Sequence, residues 1–159
     1  MILQATHYGR PRGAMRHRTG TRGGRAMAYH DPRHTSEEAA IAALLRGAMP
    51  AGWSVEGPWR LELVSWVARP ARLKRKADRG TGPIWHTGKP DADNIAKIVM
   101  DAATKAGVWR DDSHCCQLSV ERWYLGLGSD GLEIGLPRVE IRIETAHPWR
   151  HGRVDWRIG

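Results

Sequence analysis

Apolar and polar positions alternate most regularly near the end of the chain, in "RVEIRIE", with Val139, Ile141 and Ile143 on one side and Arg or Glu on the other. That pattern predicts a strand with one buried face. "PWRLELVSWVARP" predicts another, with Leu61, Leu63 and Val67 facing the core and Pro70 ending it. "QLSVERWY" reads as a third, followed by the turn "GLGSDG"; "MILQATHY" and "AMAYHDP" read as shorter ones. Two segments follow the helical period instead. Thr35 is the expected N-cap of the first, with Glu38 three residues on completing a capping box. Ile41, Leu44, Leu45 and Ala48 follow at helical spacing, and Pro50 stops it. The second runs from about Asn94 to Lys105. There Ile95, Ile98, Val99, Ala102, Ala103 and Ala106 form one stripe, and Gly107 is the natural residue just past the end. The expected fold is α+β: a small mixed, mostly antiparallel sheet carrying two main helices.

The segments between are basic. A Gly/Arg-rich stretch over 9–26 reads as a loop and holds six arginines (10, 12, 16, 18, 22 and 25) without an acid before position 26. A second basic connection covers 71–90, and a basic tail covers 145–159. At 159 residues and 41% hydrophobic, the chain is expected to form one domain. It carries 25 Lys+Arg against 17 Asp+Glu, a net +8. Positive charge clustered this way suits a phosphate backbone, and also other polyanions. Nothing approaches a membrane-spanning apolar run, the first residues lack a secretory layout, and the two cysteines are adjacent. The expected setting is therefore soluble and cytoplasmic.

Against that background, "KPDADNIAKIVMDAATKAGVWRDDSH" gathers acids at both ends of the second helix. Asp91 and Asp93 precede it; Asp111 and Asp112 follow it. If the chain is extended at 91–93, the first two project to one side. Oxygen ligands without a Cys/His cluster suit Mg²⁺ or Mn²⁺ better than zinc. Such an ion activates water in phosphodiester hydrolysis, and Lys97, four residues after Asp93, would add charge stabilisation. Simpler roles stay open. Asp91 or Asp93 would serve as an N-cap, Lys97 and Asp101 make an ordinary i,i+4 pair, and "DD" before Ser is common in turns.

The same stretch resembles the signature of the RusA-like Holliday junction resolvases. It has a basic/Pro lead-in, Asp-x-Asp-Asn, a Lys four residues after the second Asp, "DA" further along, then Asp-Asp, all in register over about 25 residues. "GRPR" and "YHDPRHTSEEA" resemble the family's N-terminal half more loosely. The resemblance implies a small homodimeric endonuclease, bacterial or phage-encoded, that needs Mg²⁺ (Mn²⁺ as a substitute) and resolves four-way DNA junctions by paired symmetrical nicks. It implies Asp91, Asp93 and Asp112 as catalytic, metal-holding carboxylates and Lys97 as the essential lysine, with Asn94 and Asp111 in support. Arg10, Arg12, Arg72, Lys74, Arg75 and Lys76 are the expected grip on DNA. Two alternatives use the same features: a non-catalytic branched-DNA-binding protein, and a metal-dependent RNA nuclease.

Other residues carry less. His114, Cys115 and Cys116 are too close in sequence to converge on one tetrahedral zinc, and buried thiols in a strand are the expected reading. Of the eight tryptophans, Trp59, Trp66 and Trp123 fall in expected strands. Trp85, Trp149 and Trp156 fall in loops or the tail, where they would be able to stack on unpaired bases. The glycines at 9, 13, 20, 23 and 24 match no phosphate-loop spacing, so no nucleotide cofactor is expected.

Overall fold

The computed structural model describes residues 1–14, 18–22, 25–29 and 32–147, with 18–22 and 25–29 described by backbone alone. Strands β1 (Ile2–Tyr8), β4 (Trp59–Val67), β5 (Ile84–Trp85), β6 (Cys115–Tyr124) and β9 (Arg138–Thr145) form one sheet in the order β1-β9-β4-β6-β5. All its pairings are antiparallel except β4 with β6. That parallel pair requires a crossover, which the helix α2 (Ala92–Ala106) provides. The expected α+β arrangement with two helices is what forms.

Alternation sets which face is covered. Leu61, Leu63 and Ser65 lie in register with Ile143, Ile141 and Val139, and all are buried. Leu3 joins them from β1 beside Ile143. Helices α1 (Pro32–Ala48) and α2 close this face with Ile41, Ala42 and Leu45 from one, and Ile95, Ile98, Val99, Ala102 and Ala103 from the other. Gly107, at φ 78°, ends α2 by donating its N–H to the Ala103 and Thr104 carbonyls. The opposite face carries three arginines (60, 138 and 142) and four glutamates (62, 121, 140 and 144), with Arg142 bonded to Glu144 and Arg138 to Glu140. At its far end Trp66, Trp123 and Trp85 stack side by side, with Arg138 over Trp66.

Several expected boundaries move. Helix α1 starts at Pro32, three residues before Thr35, so Thr35 is an interior residue and not the N-cap. Proline suits a first helical turn, where its missing N–H removes a donor that has no partner there. Helix α2 starts at Ala92 rather than Asn94. The supposed loop over 9–26 contains β2 (Arg18–Arg22), which pairs antiparallel with β3 (Arg25–Tyr29). The connection over 71–90 is also more ordered than its composition implied. It holds short 3-10 turns at Ala71–Leu73 and Lys76–Asp78, then β5, so Trp85 belongs to the sheet. Of the tail, Thr145 and Ala146 still belong to the sheet end, where Ala146 N–H bonds the Pro58 carbonyl. Trp149 and Trp156 lie outside the described residues. Cys115 is half-buried, but Cys116 is exposed rather than buried, and both are free thiols.

Arg69 ties the 71–90 segment to the sheet. It is 4% exposed and donates from Nε to Leu125 O (2.7 Å), from Nη1 to Thr81 Oγ1 (2.9 Å) and from Nη2 to Gly82 O (2.5 Å). Its backbone N–H bonds the Glu133 carboxylate, supplied by β8 (Glu133–Ile134), which pairs with β7 (Gly126–Leu127). A buried guanidinium with a hydrogen bond from each of its three nitrogens holds a chain segment strongly. Arg69→Met is expected to lower unfolding free energy by about 2–4 kcal/mol, since three acceptors lose a charged donor. Urea denaturation checks this, and limited proteolysis should show new cuts within 74–83.

Candidate active site

Asp91 occupies the N-cap position of α2 in extended backbone, and Asp93 lies in the first helical turn. The chain has already turned helical by Asp93, so the shared-side argument from an extended segment does not hold. Both carboxylates are exposed. The Asp91 side chain makes no capping hydrogen bond, so the ordinary task of an acid at that position is not exercised. Asp93 and Lys97 are four apart in α2 and share a helix side. Lys97 Nζ stands 3.5 Å from Asp101 Oδ1, an exposed i,i+4 pair.

Asp111 and Asp112 stand at the other end of α2. Asp111 caps the short turn Asp112–His114, its Oδ1 accepting the Ser113 N–H at 3.0 Å. Hydrogen bonds from Ser113 hold its carboxyl below the usual carboxylate range. Asp111 therefore shapes the turn, and Asp112 is exposed beside it.

Packing keeps the two sets of acids apart. Arg122 on β6 donates from Nη1 to the carbonyls of Gly88 and Pro90, both at 2.8 Å. This pins the start of α2 near the far end of β6, whereas Asp112–His114 leads into the near end at Cys115. The strand from Cys115 to Arg122 spans about 23 Å. The 15-residue helix is about 22 Å long. Asp91 and Asp93 thus lie on the order of 20 Å from Asp112 within one chain. Among the described residues, no group of three or more His, Cys, Asp or Glu side chains is placed to hold a metal ion. The expectation that the helix presents acids from both ends to one ion is not met inside a single chain.

A basic cavity lies beside the segment that leads into Asp91. Arg10, Arg72 and Lys89 rim this cavity of about 460 Å³, whose walls include Val67, His86 and Tyr124. Arg75 and Lys76 are exposed nearby in sequence, whereas Lys74 pairs with Glu133 at 3.2 Å. Arg12 stands 3.9 Å from Glu37. On the other side of the helix start, the Ala14 N–H bonds the Asn94 carbonyl at 2.8 Å. A Cβ on Gly13 would come within 2.7 Å of Asn94 Cβ and 2.9 Å of Pro90 Cβ, so only glycine fits there. Asn94 is a backbone anchor for the incoming loop.

Sequence reasoning read Lys89 only as the motif's basic lead-in and passed over His86 and Arg122. Parity was the available signal for Arg122, since it shares the core-facing register of β6 with Val120 and Tyr124. An arginine in that register needs acceptors, and it finds the two carbonyls ahead of Asp91.

His86 is 4% exposed, set edge-on against Tyr124, and its Nδ1 has no partner among the described residues. Burial, then the Arg122 charge, lowers its pKa from 6.5. Unfolding restores a pKa near 6.5, so below that pH the unfolded chain binds a proton that the folded chain refuses. His86 therefore contributes full stability above about pH 6.5, and that contribution declines as pH falls. Thermal melts between pH 7.5 and 5 should show a falling midpoint that flattens in His86→Leu.

No helix of the described residues is long and apolar enough to cross a membrane. A search of curated proteins finds no match. A family model described as "Endodeoxyribonuclease RusA" matches residues 8–144, which takes in both helices, the main sheet apart from nearly all of β1, the Arg122 clamp and all four acids. The chain belongs to the RusA endodeoxyribonuclease family.

Proposed function

We propose that this protein is a Mg²⁺-dependent, structure-selective endodeoxyribonuclease that resolves four-way DNA junctions by paired nicks as a homodimer. Beyond family membership, one observation carries the reading. An exposed carboxylate pair stands at the start of α2, with Asp91 making no capping bond, and the segment leading into it, Gly88 and Lys89, lines a cavity together with Arg10 and Arg72.

The donors fit the ion. Mg²⁺ keeps several waters and is commonly held by one or two carboxylates plus substrate phosphate, which is what Asp91 and Asp93 offer. When bound, it supplies Lewis-acid stabilisation at the phosphate and a more acidic water. The chain's own groups do the rest. Lys97, one turn inside α2, offsets negative charge at the scissile phosphate. Arg10 and Arg72, with Arg12, Lys74, Arg75 and Lys76, hold the flanking backbone. Arg122 and Gly13 fix the position from which Asp91 and Asp93 act, and Asn94 and Asp111 support the local turns. Asp112 is the third acid, supplied across a dimer because its own chain holds it too far away. Two such sites related by a two-fold axis address opposing strands of a junction.

The test compares a four-way DNA junction with duplex DNA and folded RNA, with and without Mg²⁺. Symmetric nicks in the junction that vanish with EDTA are expected. Junction binding without a Mg²⁺-dependent product would leave only a DNA-binding protein, and preferential RNA cutting would make it an RNA nuclease. Asp93→Asn is expected to abolish nicking while binding stays intact or tightens, since one repulsive charge is gone. Undiminished nicking by that variant overturns the assignment. The double change Arg10→Ala, Arg72→Ala should lower the salt dependence of junction binding by about two phosphate contacts.

A further inference from the structure

One row of side chains crosses the whole sheet at its Arg122 end, on the face away from the helices. Register places Tyr8 beside Arg138, Arg138 beside Trp66, Trp66 beside Trp123 and Trp123 beside Trp85, one residue from each strand. The last three rings stack. Trp66 and Trp123 have centroids 6.4 Å apart, Trp123 and Trp85 3.6 Å, and the Arg138 guanidinium lies 4.8 Å from the Trp66 centroid. Glu121 accepts the Trp123 Nε1–H at 3.0 Å, which fixes the rotation of the middle ring. The series stops at Trp85. One face of that indole lies against Trp123, yet the residue is 60% exposed and no described strand lies beyond β5. Its outer face is therefore open, at the end of a stack already built. A tryptophan serving only the core gains by covering both faces, and this one leaves more than half of its surface in water.

The other side of the same sheet end is the basic cavity. His86, Tyr124, Val67 and Pro137 line it, and each adjoins in sequence a member of the row: Trp85, Trp123, Trp66 and Arg138. Arg10, Arg72 and Lys89 supply its charge, and the lining holds no acid among the described residues. A nucleic-acid strand needs both kinds of surface: cations for its phosphates, and a flat apolar face for any base that has lost its neighbours. Here the two lie back to back around one sheet end. Asp91 follows Trp85 by six residues, at most about 20 Å of extended chain.

We propose that Trp85 takes an unpaired nucleobase on its outer face, extending the Trp66–Trp123–Trp85 stack by one ring, while Arg10, Arg72 and Lys89 hold the phosphates beside it. The inference rests on the nucleic-acid substrate of the nuclease reading, and not on its metal chemistry. The platform is set in advance, because Trp85 stands on a hydrogen-bonded strand with Trp123 behind it, so little side-chain freedom is lost on binding. Preference for opened DNA over intact duplex follows, since a base inside a duplex has both faces covered and must be unstacked first.

Binding measured in EDTA keeps cleavage out of the test. The probes are a hairpin duplex with a short oligothymidine overhang and the same hairpin with a blunt end. Wild type should bind the overhang more tightly. Trp85→Ala should lose about 5- to 150-fold on the overhang alone, with Trp85→Phe keeping most of the preference. Stacking releases no counterions, so the salt slope of Trp85→Ala should match wild type, whereas Arg10→Ala, Arg72→Ala should flatten the slope for both probes alike. With 5-iododeoxyuridine in the overhang, ultraviolet cross-linking of the wild type should label the peptide that holds Trp85. That label is read on the unaltered chain, so the proposal stays open to refutation even where Trp85→Ala fails to fold. Equal affinity of wild type for both probes, an overhang preference that survives Trp85→Ala, or a label that misses Trp85 each overturns it. A loss shared equally by blunt and overhang DNA overturns it too, because a merely structural tryptophan predicts that. Overhang binding through Trp85 by a protein that never nicks with Mg²⁺ refutes the nuclease and spares the platform; junction nicking without an overhang preference does the reverse.

Discussion

Everything chemical in this protein is placed by the way α2 lies along β6. The Arg122 guanidinium spans two carbonyls just ahead of Asp91, and the apolar stripe of α2 does the rest against β4, β6 and α1. Helix and strand run in opposite directions because the parallel β4–β6 pair needs a crossover. One acidic pair is thereby carried to one end of the sheet and the second pair is left at the other. The division is a property of the topology, and no side-chain rotation within a chain would remove it.

Charge is segregated as clearly. The chain is strongly basic, yet the uncovered sheet face holds arginines and glutamates that largely pair with one another. Positive charge without a partner of that kind collects on the connections instead, where Arg10, Arg72 and Lys89 line the cavity beside the segment that leads into Asp91. A polyanion is thus drawn to one end of the molecule rather than to its broad face.

The strands and helices were legible because burial imposes a period, and β4, α2 and β9 obey it almost without exception. Their boundaries were less so. Thr35 and Glu38 match a capping box, but Pro32 is also an acceptable first helical residue, and local sequence does not rank the two. The 71–90 segment has no period to read, since its order comes from Arg69, a single buried side chain with distant partners. For the site, residue type and spacing pointed to the acids and to Lys97. They left open which of Asp91 and Asp93 takes the helix cap, which the structure gives to Asp91, and did not reveal that Asp112 stands a helix length away. Distances across a fold depend on strand order, and strand order is not written in local spacing.

The pairing of β1 with β9 joins nearly opposite ends of the chain, Ile2 lying beside Glu144. β4 also takes β9 as its neighbour, so the last of the described strands is the one that unites the sheet. During synthesis the first strand must wait, its backbone unpaired, until β9 has emerged. Contacts that distant in sequence close slowly. Assembly of the sheet is therefore gated by the arrival of β9: a truncated product lacking it would have its acids, its lysine and its basic loops, but β1 would have no strand to pair with.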